Sequence, residues 1–586
     1  MYTVSRAPLS TLWSQRRPSY DIVVIGSGYG GAVTAARLAT ADWPNGRPSI
    51  CILERGKEWL PGQFPDRLDR GAQELRSPLQ PLGLYDSSFG PDIGVVMGSG
   101  LGGTSLINAN VAIQPDTEVF DNPRWPQAIR DARDQGRLQA CFDRVRTTLN
   151  AGQHPNGMRL SKVQALQQGF PGGPSAVFEL HDIAVNFNFE GPNTWGVNQR
   201  RCINCGDCTS GCNVGAKNTL DTNYLAIAKS GGAEIFTQVE VGSIEKMAAG
   251  GYKVHYLRRE PGGETEAGII EAKRLLVVAA GSLGSTGILL RSQERGLSLS
   301  GTLGTRFSGN GDFFGTAYNS NFKTDTLGWG AYPESDRARR VQPGPAETLN
   351  PGPTIVSRIR YNRDKPLAQR FKVEDLSMPL MYVDTVRSLL AFAIGRDTDA
   401  GDELQELRRR LRDFAALDPE LEKGALNYTL VYLVNGHDDA AGRIVLDPLS
   451  KEPTVRWPGV GSQPVFQMEN GALQAHATKL GSTFLENPLW GFLPLRTLLT
   501  VHPLGGCPMA EDASSGAVNA NGQVFDAAGN LHEGMYVADA AVMPTAIGVN
   551  PFLTISALAE MRAEQLVAQL GGVPRVITGV QATAAA

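Results

Sequence analysis

The chain has 586 residues, of which 41% are apolar and 19% are charged, a balance that excludes disordered, collagen-like and coiled-coil chains as the overall class. Lys and Arg together number 55 against 59 Asp and Glu, so the formal net charge is −4 and we expect no nucleic-acid partner. Glycine accounts for 67 of the 586 residues, about 11% against a usual share of roughly 7%. This excess indicates tight turns or close approach of the backbone to a ligand.

Two features of the sequence bear on the compartment. No apolar run reaches the roughly 18 residues of a membrane-spanning helix, so we expect no membrane span. Four of the seven cysteines fall in one short stretch instead of forming a disulfide framework. We therefore expect a soluble, cytoplasmic protein.

The first motif follows a short β-branched run from Tyr20 to Gly26, which predicts a buried parallel strand. The pattern G-x-G-x-x-G at Gly26, Gly28 and Gly31 continues directly into a helix-forming stretch, the context of a dinucleotide-binding turn. In such a turn the first glycine permits the bend, the second lets a pyrophosphate approach, and the third lets helix and strand pack closely. The helix N terminus then supplies free N–H groups for the phosphates.

A second apolar run, from Ser49 to Glu54, ends in an acid. Its position, about 20 residues after the glycines, fits a carboxylate that accepts hydrogen bonds from a ribose. We therefore predict dinucleotide binding, although this pattern alone does not separate FAD from NAD. Another G-x-G-x-x-G run, from Gly98 to Gly103, lacks both a long helix and a following acid-terminated strand, so it predicts no second nucleotide site.

Several blocks of sequence resemble signatures of the glucose–methanol–choline (GMC) oxidoreductases. They are GSGLGGTSLINANVAI from Gly98, GSLGSTGILLRS from Gly281, HPLGGCPM from His502, and YVADAAVMPTAIGVNPFLTISALAE from Tyr536. The forms HPLGG and GVNPF, with GAKNTLDTNYL at 215–225 and FSGNGD at 307–312, are most similar to the cholesterol-oxidase-like branch of the family.

The resemblance implies that the cofactor is FAD, which Gly26, Gly28, Gly31 and Glu54 would hold at its dinucleotide end. No His or Cys lies in the 98–113 block, so we expect FAD to be bound non-covalently. The remaining positions that the resemblance assigns to FAD are Gly103 and Asn108 along the flavin, Val239 or Val241 at the adenine, Asp539 near the ribityl–phosphate region, and Asn550 and Phe552 near the isoalloxazine.

Oxidation of an alcohol by a flavin requires that the hydroxyl proton leave and that a hydride be transferred. Histidine is the usual proton acceptor because its pKa is near neutral. Of the seven histidines, only His502 lies in a family block. The resemblance implies that His502 is the base and that Asn550 donates a hydrogen bond to the alcohol oxygen. Without the family, His502 before Pro-Leu-Gly-Gly is more typical of a structural histidine in a turn.

A third catalytic candidate is Glu374, in the segment from Lys372 to Pro379. Cholesterol oxidases carry a carboxylate that moves a ring double bond after oxidation, and Glu374 is our candidate for that position. The alternative is an exposed or structural acid, in which case isomerase activity is unsupported.

The clustered cysteines Cys202, Cys205, Cys208 and Cys212 have the C-x2-C-x2-C-x3-C spacing of bacterial ferredoxins, with Asn213 in place of the usual proline. This spacing predicts an iron–sulfur cluster. Zinc and metal-free thiols are the alternatives, although structural zinc sites usually separate two C-x2-C pairs. A cluster would make the protein a dehydrogenase that passes electrons to a protein or quinone partner. Without one, an oxidase that uses O2 is favoured.

We predict an α/β fold, α+β overall, in which a Rossmann-like FAD-binding domain is intertwined with a substrate domain built on an antiparallel sheet. Alternating segments at 355–360 and 427–432 indicate that second sheet. The leading hypothesis for function is FAD-dependent oxidation of a hydrophobic alcohol, with a sterol as one candidate. The predicted domain boundaries are 15–125, 198–315 and 496–586 for FAD, and 126–197 and 316–495 for the substrate.

Overall fold

A computed structural model describes residues 4–66, 68–259, 264–329, 349–382, 403–415, 424–491, 496–577 and 579. Within these residues the chain builds two large sheets, one mainly parallel and one antiparallel. This mixed α/β architecture confirms the predicted fold class. The division of the chain into domains at the predicted boundaries stays a prediction.

The first sheet has eight strands around a parallel centre. Strand Ser19–Ile25 pairs in parallel with Ile50–Leu53 on one side and with the C-terminal half of Thr265–Val278 on the other. The N-terminal half of Thr265–Val278 leaves this centre and forms an antiparallel ribbon with Tyr252–Arg259 and then Val239–Lys246. The main order across the sheet is Gln523–Phe525, Leu531–Val537, Thr265–Val278, Ser19–Ile25, Ile50–Leu53 and Glu234–Phe236.

Helices bury this parallel centre. The side chains of Ile22, Val23 and Val24 are fully buried, which explains why the strand reads as a continuous apolar run. The first helix, Tyr29–Thr40, packs against both Phe552–Gln569 and Tyr224–Ser230. The N- and C-terminal parts of the chain therefore share one core.

A buried ion pair joins these helices. The Arg37 guanidinium donates two hydrogen bonds to the Glu560 carboxylate, at 2.6 and 2.9 Å, and the Tyr224 hydroxyl donates a third at 2.8 Å. Glu560 is fully buried, and only such pairing makes a buried carboxylate tolerable. The three helices are thus fixed to one another by a single acid.

The second sheet has six strands and is antiparallel throughout. The alternating segments predicted its antiparallel character. Helices Pro464–Lys479 and Ser161–Gln168 pack against it. The observed strands begin two or three residues after the predicted segments, a normal uncertainty for strand ends. In spatial order they are Thr483–Glu486, Phe313–Tyr318, Leu430–Asn435, Phe371–Leu376, Ser357–Tyr361 and Val177–Leu180.

Smaller elements complete the described chain. A three-stranded sheet contains Leu498–Thr500, Ile93–Gly98 and Tyr85–Phe89, and two hairpins pair Arg443–Leu446 with Pro453–Arg456 and Gly191–Pro192 with Asn198–Gln199. The further α-helices are Leu68–Gln73, Gln127–Asp134, Arg137–Thr148, Gly281–Glu294, Glu403–Ala415 and Pro488–Gly491. The 3₁₀ helices are Trp13–Gln15, Gly103–Leu106, Thr117–Asp121, Gly157–Arg159, Cys208–Ser210, Leu220–Thr222, Leu367–Gln369, Ala425–Tyr428, Val460–Ser462 and Ala540–Val542.

Over the described ranges, none of the helices combines the length and apolar character that crossing a bilayer requires.

Candidate active site

The first glycine-rich turn joins strand Ser19–Ile25 to the helix that begins at Tyr29. Gly26 has a φ of +95°, and a Cβ there would lie 2.3 Å from the Ala279 carbonyl oxygen. A Cβ at Gly31 would lie 2.1 Å from the Gly26 carbonyl oxygen, so both positions require glycine. At Gly28 no atom lies within 4 Å of the Cβ position. The space in front of the helix N terminus is therefore open, which fits an approaching pyrophosphate.

Glu54 stands at the end of the neighbouring strand and faces this turn. Its carboxylate accepts hydrogen bonds from the Ser27 amide and hydroxyl and from the Gly56 amide. The Glu54 carbonyl also accepts the Val239 amide at 2.8 Å, which ties in the strand that carries both candidate adenine contacts. On that strand, Val241 is buried. The predicted ribose and adenine positions thus lie on adjoining elements.

The second glycine run docks onto the first. The Gly102 amide donates to the Ser27 hydroxyl at 2.9 Å, and a Cβ at Gly103, where φ is +56°, would lie 3.0 Å from the Gly28 Cα. The 98–110 loop is therefore part of the same site as the dinucleotide turn, which is why it needs no helix or acid of its own.

Several buried polar atoms in this loop lack a hydrogen-bond partner, as expected if they contact a cofactor with polar edges. The Asn108 amide nitrogen donates to the Tyr29 hydroxyl at 2.8 Å, and Tyr29 stacks on Phe552 with ring centroids 4.8 Å apart. The amide oxygen of Asn108, the amide nitrogen of Asn110 and the Ser99 hydroxyl are buried without a protein hydrogen-bond partner. Buried polar groups are costly when unpaired, so these three atoms fit hydrogen bonding to a bound isoalloxazine.

Asp539 connects two of the family blocks. Its carboxylate accepts hydrogen bonds from the Gly281 and Ala541 amides, both at 2.8 Å, and from the Ser285 hydroxyl. Burial raises the pKa of Asp539 above its ordinary value. Both carboxylate oxygens thus accept hydrogen bonds from protein groups. Asp539 therefore positions the backbone around the predicted ribityl–phosphate region.

His502 follows strand Leu498–Thr500 of the three-stranded sheet and contacts two residues at strand ends of the antiparallel sheet. Its Nδ1 is 2.8 Å from Oδ1 of Asp312, the residue that immediately precedes strand Phe313–Tyr318. The other Asp312 oxygen accepts hydrogen bonds from the Thr500 hydroxyl at 2.8 Å and the Val501 amide at 2.9 Å. The Asn435 amide nitrogen donates to Asp312 Oδ1 at 2.9 Å and lies 3.2 Å from His502 Nδ1. This network fixes the orientation of the imidazole.

The network also sets the charge preference of His502. Burial lowers the pKa of His502, but the charge and hydrogen bond of Asp312, together with the charge of Glu374, outweigh this effect and raise the net pKa above the ordinary value. Because Nδ1 donates to Asp312, the neutral ring presents Nε2 as its proton acceptor. A histidine held in this way is equipped to act as a general base.

Glu374 and Asn550 form the second half of the site. Glu374 is fully buried on strand Phe371–Leu376, and its Oε2 accepts a hydrogen bond from the Asn550 amide nitrogen at 3.3 Å. The other oxygen of each side chain is buried and has no protein partner. Burial raises the pKa of Glu374 to about 7, and the charge of His502 acts in the opposite direction. Glu374 is therefore not an exposed acid, and it lies within electrostatic range of His502.

One short segment supports both halves of the site. Asn310 accepts hydrogen bonds from the Ile547 and Gly548 amides at 3.0 and 2.9 Å, and donates to the Val549 carbonyl at 2.8 Å. It thereby holds the loop that presents Asn550, while Asp312 holds His502.

Sequence reasoning missed the supporting residues. Asn310 and Asp312 lie in the FSGNGD block, but a motif match does not say which side chain touches what. Tyr29 lies inside the first glycine turn, and its aromatic side chain was the only feature of the sequence that could have marked it as a site residue. Asn435 ends a strand that no motif marks, so tertiary structure alone brings it to Asp312.

The four clustered cysteines do not form the metal site that their spacing predicts. They line one small cavity of about 20 Å³, which has room for about one water molecule. Among the residues that the structure describes, no three His, Cys, Asp or Glu side chains are grouped so that they could hold a metal ion. Burial raises the pKa values of Cys202, Cys205 and Cys208. The structure therefore does not support the iron–sulfur or zinc interpretation of Cys202, Cys205, Cys208 and Cys212, and describes these residues as free thiols.

Known proteins are similar to this chain over most of its length. Two family models, both described as GMC oxidoreductase, match residues 20–298 and 464–559. A cholesterol oxidase of Mycobacterium tuberculosis is 26% identical over 93% of this chain and 91% of its own length. A cholesterol oxidase of Acinetobacter baumannii is 24% identical over 92% of this chain and 93% of its own length. A long-chain-alcohol oxidase of Arabidopsis thaliana is 22% identical over 94% of this chain and 67% of its own length.

Among solved structures, a fungal aryl-alcohol oxidase aligns with a TM-score of 0.56 and 15% sequence identity. The alignment covers 95% of this chain and all of that one. At this identity the likeness shows a shared fold and nothing finer.

Proposed function

Because the chain belongs to the GMC oxidoreductases, flavoenzymes that act on CH–OH donors, we propose that it oxidises a hydrophobic alcohol, with a sterol as the leading candidate. The observation that carries this proposal is that the buried Glu374–Asn550 pair lies within electrostatic range of the Asp312-bound His502. FAD, when bound, supplies the acceptor for the hydride that leaves the alcohol carbon.

His502 and Asn550 have complementary roles in the proposed reaction. Nε2 of His502 takes the hydroxyl proton, and the Asn550 amide donates to the alcohol oxygen and orients it. Asp312 keeps Nδ1 protonated and stabilises the imidazolium that results. Since every one of these side chains is buried or nearly so, the substrate hydroxyl would react in a site that excludes bulk water.

Glu374 favours a sterol over a simple alcohol. A fully buried carboxyl with a pKa of about 7 is suited to taking a proton from one ring carbon and returning it to another, which moves a double bond without net oxidation. A long-chain alcohol offers no such step. Two relatives that match over nine-tenths of both chains bear the name cholesterol oxidase.

We propose O2 as the electron acceptor, because the relatives named above are oxidases. All seven cysteines are free thiols, which supports a reducing, cytoplasmic location.

The test is turnover of the FAD-loaded enzyme with cholesterol and, separately, 1-dodecanol, both dispersed in detergent. Hydrogen peroxide release reports use of O2, while anaerobic loss of the flavin absorbance reports alcohol oxidation whatever the acceptor. Bleaching by cholesterol with peroxide release supports the whole proposal. Bleaching by dodecanol alone would overturn the sterol assignment, and bleaching without peroxide would overturn O2 as the acceptor.

A further inference from the structure

Away from the candidate active site, a concave surface of about 340 Å³ is lined by three arginines, Arg124, Arg306 and Arg443. We call it the arginine pocket. Arg124 and Arg306 are half-buried and Arg443 is exposed. The rest of the lining is the segment 440–442 and four hydroxyl-bearing residues, namely Thr302, Thr305, Ser514 and Ser515.

The three positive charges are not neutralised by the part of the chain that the structure describes. Arg124 donates to the Asp439 backbone carbonyl at 2.9 Å, and Arg306 to the Ser515 backbone carbonyl at 3.4 Å. Within the described ranges Arg443 has no hydrogen bond or ion pair. Carbonyl oxygens carry no net charge, so each guanidinium keeps donors and charge to offer to an anion.

The surrounding charges make this arrangement unfavourable without a counterion. Arg443 lies directly opposite Arg456 on the hairpin, so two exposed like charges share one face of the ribbon. Burial, together with the nearby Arg124, lowers the pKa of Arg306. Both effects would be relieved by a negative charge in the arginine pocket.

Two acids lie on adjoining loops and are engaged by backbone amides. Asp512 Oδ1 accepts the Ser514 and Ser515 amides, at 2.9 and 3.1 Å. Asp439 Oδ1 accepts the Ala441 amide at 2.9 Å. These carboxylates shape the loops of the pocket wall and do not form ion pairs with its arginines.

We propose that the arginine pocket binds an oxyanion of the phosphate type. Guanidinium groups form bidentate, charge-assisted hydrogen bonds with phosphate oxygens, and several of them around one concavity suit a group with more than one negative charge. A soluble phosphorylated compound and the headgroup of an anionic lipid share this chemistry. The pocket lies outside the proposed alcohol site and does not depend on it.

The experiment uses the FAD-loaded enzyme at low ionic strength, where charge interactions are least screened. Sodium pyrophosphate is titrated by calorimetry, and co-sedimentation is measured with vesicles of phosphatidylglycerol or of phosphatidylcholine. The double variant Arg124→Gln/Arg443→Gln tests the pocket, and Arg159→Gln, an exposed arginine elsewhere, is the control. An unchanged melting temperature and flavin content verify that both variants are folded.

We expect pyrophosphate binding that the double variant weakens at least about tenfold, by loss of two charge-assisted contacts, and that the control retains. Retention on phosphatidylglycerol but not phosphatidylcholine vesicles, lost in the double variant, would identify a lipid headgroup as the source. Pyrophosphate binding without vesicle binding would identify a soluble anion. Binding of neither probe, or an equal effect of the control substitution, would overturn the proposal.

Discussion

The carboxylate of Asp312 lies 2.8 Å from Nδ1 of His502, although the two residues are 190 positions apart in the chain. Because a carboxylate only accepts hydrogen bonds, the contact keeps the proton on Nδ1 and leaves Nε2 as the proton acceptor of the neutral ring. It also gives the candidate base a raised pKa in a buried environment that would otherwise lower it. The base and its support therefore form one functional unit.

Replacement of His502 by Gln removes the proposed base. We expect kcat for the preferred alcohol to fall by about 10²–10⁴-fold, the usual contribution of a general base. Flavin content and the melting temperature should stay close to those of the unmodified enzyme. Steady-state turnover and the flavin absorbance measure these quantities. Undiminished turnover would remove His502 from the mechanism.

Asp312→Asn tests the positioning role by its effect on pH dependence. The base acts when neutral, so kcat/KM should rise with pH through the raised pKa of His502. Without the Asp312 charge that pKa falls, so the acidic limb should move to lower pH, while the plateau drops by about 10²-fold because the ring is misplaced. A lower plateau with an unmoved limb would indicate a purely structural role. Asp364→Asn, an exposed acid, is the control.

Glu374→Gln separates oxidation from double-bond migration. We expect the variant to release the unrearranged ketone while it retains alcohol oxidation. In the unmodified enzyme, migration should weaken as pH falls through about 7, because the carboxylate that accepts the proton becomes protonated. Chromatography of the steroid products measures both. A rearranged product from the variant would exclude Glu374 as the proton carrier.

The same substitution has a predicted effect on stability. The pKa of Glu374 is about 7 in the folded enzyme against an ordinary 4.5, so ionisation destabilises the fold progressively as pH rises from 4.5. Glu374→Gln should therefore stabilise the apoprotein at pH 8, by up to about 3 kcal/mol at 1.36 kcal/mol per pKa unit, and have little effect at pH 4.5. Denaturant unfolding at the two pH values measures the difference. An equal change in unfolding free energy at the two pH values would contradict the raised pKa of Glu374.

The Arg37–Glu560 pair predicts a large stability loss. Glu560→Ala leaves a buried guanidinium and the Tyr224 hydroxyl without their acceptor, so we expect about 3–5 kcal/mol of destabilisation. Arg17→Ala, which breaks the exposed Arg17–Glu234 pair, should cost less than about 1 kcal/mol. Comparable losses of stability in the two variants would contradict the expectation that burial makes the Arg37–Glu560 pair the more important one.

Free thiols at the cysteine cluster predict a simple spectrum. The freshly purified, anaerobic enzyme should show two flavin bands and no broad visible absorbance that dithionite bleaches. Iron near stoichiometric amounts would contradict this expectation and restore the ferredoxin-like interpretation of Cys202–Cys212.

The sequence by itself determined the dinucleotide turn at Gly26–Gly31, the family, and the antiparallel character of the second sheet. These features are local: strand periodicity, glycine spacing and contiguous motifs are written in neighbouring residues. Tertiary structure decided the rest. It brought Asp312 and Asn435 to His502, buried Glu374 beside Asn550, and left the four cysteines around a cavity with room for about one water molecule. Spacing along a chain fixes neither the burial of a side chain nor its partner, because both depend on segments that meet only when the chain folds.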